Sequence, residues 1–74
     1  MLVFDLQALQ SAVHGQRGIG RYVFDLAATL HARHPNAVDV FAWNDRLPPV
    51  PALDRLALGE RLVPFSALAG GLGL

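Results

Sequence analysis

The residues of this chain with the clearest chemical potential form a short run of glycine and arginine, RGIGRY at positions 17–22. An apolar stretch precedes the run and an amphipathic stretch follows it, so we predict a turn at the amino terminus of a helix. Backbone amides in the first helical turn lack intrahelical acceptors and carry the positive end of the helix dipole, which suits an anion. Glycine lets a ligand approach such a backbone closely, and the two arginines add positive charge. The candidate phosphate-binding residues are Arg17, Gly18, Ile19, Gly20 and Arg21.

Two better-defined phosphate motifs do not fit this run. A P-loop requires a lysine that reaches the phosphates, and the chain contains no lysine. The dinucleotide fingerprint would require glycine or alanine at position 23, where Val23 stands. Local chemistry therefore leaves two interpretations open. The run is either an anion-binding turn or a sharp strand-to-helix turn that uses glycine and carries solvated arginines.

The elements around the run predict a strand, a helix and a second strand. Positions 2–6 are apolar except for Asp5, as in a strand buried in a parallel sheet. A mixed, polar connection follows at 7–16. Apolar residues then recur at steps of three and four and predict a four-turn helix that ends near Arg33, because Pro35 disfavours the helical conformation before it. The residues of this predicted apolar stripe are Ile19, Tyr22, Val23, Leu26, Ala27 and Leu30.

The later part of the chain predicts two further elements after a second strand at 38–43, where β-branched and aromatic residues predominate. Positions 52–58 favour a short helix closed by Gly59. A third strand is expected at 60–65, and Pro64 confines it to a sheet edge or a strand end. The glycine-rich tail shows no periodicity. The predicted fold class is α/β, with a partial Rossmann-like parallel sheet that begins strand, helix, strand.

Several polar side chains follow the predicted strands, at the edge where open α/β sheets bind ligands. Gln7 and Gln10 come after the first strand, and we expect their side chains to hydrogen-bond a ligand. Asp45 comes after the second strand, where it is either a turn former or a ribose-binding acid. Asp5 lies within strand sequence, so its carboxylate needs a donor. We expect Asp5 to cap the glycine-rich turn, with substrate contact as the alternative.

The histidines do not predict a metal site. His31 and His34 lie three positions apart on the predicted helix, and His14 precedes it. A metal centre needs three or four ligands with supporting acids, and the sequence places none for that purpose. We expect His31 and His34 to be solvated near the helix carboxyl terminus, where partial positive charge suits the dipole. Neither a metal nor a cofactor is therefore assigned.

Size and composition exclude several classes of function. The chain has 74 residues, 53% of them hydrophobic and only 16% charged, which predicts a small core and apolar surface that favours a partner domain. The formal net charge of zero provides no field that would attract nucleic acid. No apolar run approaches the roughly 18 residues of a membrane span, and the first residues lack the basic region of a secretory signal. We therefore expect a cytoplasmic protein.

Two blocks taken together, DLQALQS at 5–11 and RGIGRY at 17–22, resemble the amino-terminal end of the family-four retaining glycosyltransferases with the GT-B fold. A looser likeness continues through ERLVPF at 60–65. The nearest likeness is to the bacterial mannosyltransferase-like branch used in polysaccharide assembly. Many members have paired glycines where this chain has Arg17 and Gly18, so the resemblance places the closest backbone approach at Gly18.

The resemblance implies that residues 1–74 form an incomplete amino-terminal, acceptor-side domain, and that the carboxyl-terminal donor domain is absent from this sequence. In such enzymes the two Rossmann-like domains face each other, and the glycine-rich loop reaches toward the diphosphate of the nucleotide-sugar donor. The implied reaction transfers a sugar from that donor to a saccharide or lipid-linked acceptor, and Gln7 and Gln10 are then expected to hydrogen-bond the acceptor sugar. The family's donor-supporting acidic motif and its histidine near the reacting carbon are not present here, so we assign no catalytic residue and expect no activity from this chain alone. The alternatives are a non-catalytic phosphate- or nucleotide-binding module and an inactive fragment.

Overall fold

The chain folds into strands and helices that alternate around a small sheet. The structure, a computed structural model, describes residues 1–11 and 18–71, with side chains in the second range described as far as residue 68. The strands are β1 (Val3–Asp5), β2 (Val40–Trp43) and β3 (Leu62–Pro64). The α-helices are α1 (Gly18–Arg33), α2 (Pro51–Arg55) and α3 (Phe65–Gly71). Two 3-10 helices span Gln7–Gln10 and Gly59–Arg61.

The described strands form one parallel sheet in the order β1-β2-β3. Its register places Phe4 beside Phe41 and Phe41 beside Leu62, so these three side chains share one face. The predicted α/β class is confirmed to this extent: a mixed fold with a three-stranded parallel sheet. In this sheet β3 is an edge strand and ends at Pro64, as the missing amide hydrogen of proline predicts.

The hydrophobic core lies on the sheet face that carries Phe41, whose side chain is fully buried. The ring of Phe4 packs beside it, with 5.5 Å between the ring centroids. Burial of one such side chain stabilises the fold by about 1.5–3 kcal/mol. Trp43 and Phe24 pack against the cluster and are partly buried. The other buried members of the cluster are Leu6, Leu9, Ala27, Val38, Leu53, Leu56 and Leu58.

Helix α1 ends at Arg33, as predicted, but the hydrophobic core covers a different part of its surface from the predicted stripe. Gly20 and Ala27 are buried, whereas Ile19 is 57% exposed and Tyr22 is 68% exposed. Leu26 is also exposed, so the prediction that these three residues belong to a buried stripe is wrong. Apolar side chains occupy two adjacent faces of α1, and periodicity alone does not decide which of them packs on the sheet.

Other departures concern short elements. The predicted polar connection begins with the 3-10 helix Gln7–Gln10, and its remainder is described only at residue 11. Helix α2 is shorter than the predicted 52–58, and Gly59 has φ +60° where the chain turns toward β3. In the tail, for which no element was predicted, the described residues as far as Gly71 belong to α3. None of the helices in the described ranges combines the length and the apolar character needed to cross a membrane.

Candidate functional site

The predicted glycine corner, positions 18–20, forms the start of α1. A Cβ atom added to Gly18 would meet no atom within 4 Å, and Gly18 does not adopt the left-handed backbone conformation. Neither packing nor backbone geometry therefore requires glycine at this position. Gly18 and Ile19 are exposed and Gly20 is buried. Arg17, which was also predicted to bind phosphate, lies outside the described residues.

A cleft of about 500 Å³ lies beside this corner, between the first turns of α1 and the short helix α2. Its volume falls in the range typical of small-molecule sites. Two of the predicted phosphate-binding residues, Gly20 and Arg21, belong to its wall. Among the described residues, those that line the cleft are Leu9, Gly20, Arg21, Phe24, Asp25, Ala52 and Arg55.

The cleft receives one guanidinium from each helix. Arg55 of α2 lies over the ring of Phe24 of α1, with 5.6 Å between the guanidinium carbon and the ring centroid. Such a cation–π contact contributes about 0.5–1 kcal/mol at an exposed site and gives Arg55 a preferred position. Sequence reasoning missed Arg55 because no local motif shows that α2 lies alongside α1.

The charged groups of the cleft are accessible. Arg21, Asp25 and Arg55 are all exposed, and together they carry one net positive charge. Although Arg21 and Asp25 lie one helical turn apart, no ion pair or hydrogen bond occupies either arginine among the residues that the structure describes. Both guanidinium groups are therefore available to a ligand.

Gln10, a predicted acceptor-binding residue, is buried and bonds to the chain itself. Its Nε2 donates to the backbone oxygen of Asn44 at 2.8 Å and to that of Pro48 at 3.4 Å. Its Oε1 accepts from the Asn44 backbone nitrogen at 2.9 Å. The Gln10 side chain thus joins the 3-10 helix after β1 to the connection after β2. Both of its donor hydrogens are occupied in this structure.

Gln7, the other predicted acceptor-binding residue, is exposed, and its backbone nitrogen donates to Oδ1 of Asp5 at 2.7 Å. The Asp5 carboxylate therefore supports the start of the 3-10 helix rather than the glycine corner. Asp5 is also exposed and not buried within the strand. The expectation that it caps the glycine-rich turn is wrong, because its carboxylate accepts from the backbone N–H of Gln7, two residues further along the chain.

Asp45, at the carboxyl end of β2, binds the first turn of α3. Its Oδ1 accepts from the Ser66 backbone nitrogen at 3.2 Å, and its Oδ2 accepts from the Ser66 hydroxyl. The hydroxyl bond is the main reason why the pKa of Asp45 lies below its ordinary value, and the backbone bond acts in the same direction. Of the two interpretations left open by the sequence, the observed contacts are those of a structural turn residue.

His31 is not a solvated helix-terminal residue, contrary to expectation. It is half-buried, and its Nδ1 lies 3.2 Å from Nη1 of Arg61. The Arg61 guanidinium lies over the Phe41 ring at 5.3 Å and also donates to the backbone oxygen of Val38. This arrangement joins α1, β2 and the approach to β3. His34 is exposed, and His14 lies outside the described residues.

The structure thus brings Gly20 and Arg21 together with Arg55 in one cleft and leaves Gly18 open beside it. Within the described ranges, no group of three or more histidine, cysteine or acidic residues is placed to hold a metal ion. Comparison with protein-family models, curated proteins and solved structures finds no significant match to this chain. The residues and the geometry described above are therefore the basis for assigning a function.

Proposed function

We propose that this chain is the acceptor-side, amino-terminal part of a retaining GT-B glycosyltransferase, whose glycine corner faces the diphosphate of a nucleotide-sugar donor. The observation that carries the proposal is the open position at Gly18, the exposed first residue of α1. A carboxyl-terminal donor domain, a saccharide or lipid-linked acceptor and a cytoplasmic location belong to the same proposal. So does the view that the three strands are part of a larger Rossmann-like sheet.

Three observations support this function. The blocks at 5–11 and 17–22 resemble the family in both residue type and order. The parallel strands and the helix that begins at Gly18 are the elements that a Rossmann-like start requires. Glycine at position 18 is not needed for the chain's own packing, so the close approach of a ligand provides a reason for it.

The corner would contribute electrostatic stabilisation to the reaction. When the sugar leaves the donor, the bond between its anomeric carbon and the diphosphate oxygen breaks, and negative charge increases on the diphosphate. Amides at the amino terminus of α1 have no intrahelical acceptors and can donate to that charge. Arg21 lies on the same helical turn and adds a full positive charge. Preorganised donors of this kind stabilise the transition state more than the ground state.

A transfer assay tests the proposal in the full polypeptide that contains this chain. The polypeptide is incubated with a panel of nucleotide sugars and saccharide acceptors, and release of nucleoside diphosphate is measured together with the glycosylated product. We expect acceptor-dependent release with at least one donor. Binding of nucleotide sugars without any transfer would favour a non-catalytic nucleotide-binding module, and absence of both would contradict the proposal.

A further inference from the structure

The cleft between α1 and α2 combines two arginines with an aspartate and apolar side chains, a more varied lining than the binding of a simple anion requires. Arg21 and Arg55 come from two different helices, and neither guanidinium is bound to a carboxylate in the described part of the chain. Arginine recognises carboxylate and phosphate oxygens through paired, charge-assisted hydrogen bonds. The cleft therefore provides two donors of the correct type for an acidic group.

The remaining lining residues indicate what carries that acidic group. Asp25 is exposed in the same cleft and can only accept hydrogen bonds when ionised, which suits the hydroxyl groups of a sugar. Leu9, Phe24 and Ala52 add apolar surface that can contact the C–H groups of a pyranose ring. The net charge of the three ionised side chains is one positive charge, which favours a ligand with acidic character.

From these features we infer that the cleft binds an acidic saccharide, with Arg55 and Arg21 holding its anionic group and Asp25 accepting from its hydroxyls. That this saccharide is the acceptor rests on the proposed function, whereas its acidic character rests on the cleft alone. Substitution of Arg55 tests the cleft separately from the proposed donor site, because Arg55 lies only in the cleft whereas Arg21 lies at both the glycine corner and the cleft. The contact between Arg55 and Phe24 places the guanidinium before a ligand arrives, which reduces the ordering cost of binding.

Three matched probes test the inference in the full polypeptide: methyl glucoside, methyl glucuronide and methyl glucoside 6-phosphate. They share one ring and differ at carbon 6 in carrying no charge, a carboxylate or a phosphate. Equilibrium binding is measured by NMR titration of the wild type and of Arg55→Gln, with Arg33→Gln as a control for an exposed arginine at the other end of α1. We expect the glucuronide, the phosphate or both to bind, and the glucoside to bind at least tenfold more weakly.

The variants decide the location of binding. Arg55→Gln should lower the affinity for the acidic probe about tenfold, and Arg55→Lys should lower it less. Arg33→Gln should leave this affinity unchanged. Preference for the glucuronide identifies a carboxylate ligand, and preference for methyl glucoside 6-phosphate identifies a phosphorylated one. Equal binding of all three probes, or equal effects of Arg55→Gln and Arg33→Gln, would overturn the inference. Binding of nucleotide sugars to the wild type is measured in parallel. If the wild type binds the glucuronide but no nucleotide sugar, the proposed function is rejected while the inference about the cleft stands.

Discussion

Gln10 and Asn44 are joined by two hydrogen bonds between one side-chain amide and one backbone unit. The Gln10 Oε1 accepts from the Asn44 nitrogen at 2.9 Å, and Nε2 donates to the Asn44 oxygen at 2.8 Å. The two residues are 34 positions apart in the sequence and follow neighbouring strands. The pair therefore fixes the connection after β2 against the segment after β1, at the carboxyl edge of the sheet.

Gln10→Ala should lower the free energy of unfolding by about 1–3 kcal/mol, because it leaves the backbone groups of Asn44 without the partners that Gln10 supplies. Gln7→Ala is the matched control, since Gln7 is exposed, and we expect a change within about 0.5 kcal/mol. Chemical denaturation of both variants in the full polypeptide measures the difference. Equal stability of the two variants would show that the Gln10 bonds do not contribute.

Arg61→Met should also destabilise the fold, by about 1.5–3 kcal/mol, because methionine replaces the aliphatic stem but not the guanidinium. The lost contacts are those to His31, to the Val38 oxygen and to the Phe41 ring. Arg33→Met, at an exposed position, serves as the control. Thermal unfolding should show a clearly larger fall in midpoint for the Arg61 variant than for the Arg33 variant, which loses only a favourable charge at the end of α1. An unchanged midpoint for Arg61→Met would contradict the importance of this cluster.

Asp45 should make the attachment of α3 dependent on pH. The Ser66 hydroxyl bond lowers the pKa of Asp45 below its ordinary value of 3.8. Because the folded-state pKa is the lower one, this contribution to stability is fully present above about pH 3.8 and is lost as the pH falls through the folded pKa.

An NMR titration of the Asp45 carboxyl in the wild type and in Ser66→Ala checks this assignment. Removal of the hydroxyl should raise the titration midpoint. An identical midpoint in the two proteins would mean that Ser66 is not the cause of the shift.

Much of the fold could be predicted because its signals are local. The end of α1 at Arg33 follows from Pro35, and the position of Pro64 at the last residue of an edge strand follows from its missing hydrogen. The exposed face of α1 could not be predicted, because Ile19 and Tyr22 continue an apolar pattern that also includes residues on the buried face. Which face packs depends on where the sheet lies.

The candidate site was predictable only in part, for a similar reason. Gly20 and Arg21 belong to a local motif, and the structure places both at the cleft. Arg55 has no such motif, and its role arises only because α2 lies alongside α1. Gln10 was expected to face a ligand, but its amide binds the backbone of Asn44 in the connection after β2. Asn44 is distant in the sequence, so no local pattern predicts this contact.

The central claim is that the backbone at Gly18 approaches the donor diphosphate, and a graded series of side chains at this position tests it most directly. Binding of a nucleotide sugar to the full polypeptide is measured by calorimetry for the wild type, Gly18→Ala and Gly18→Val. Ala32→Val, at an exposed position near the other end of α1, controls for the added bulk. Because a Cβ at position 18 meets no atom within 4 Å, Gly18→Ala should fold normally, and circular dichroism checks the fold of Gly18→Val. The account predicts that affinity falls stepwise from glycine to alanine to valine while Ala32→Val binds as the wild type does; equal affinity in all four proteins would contradict it.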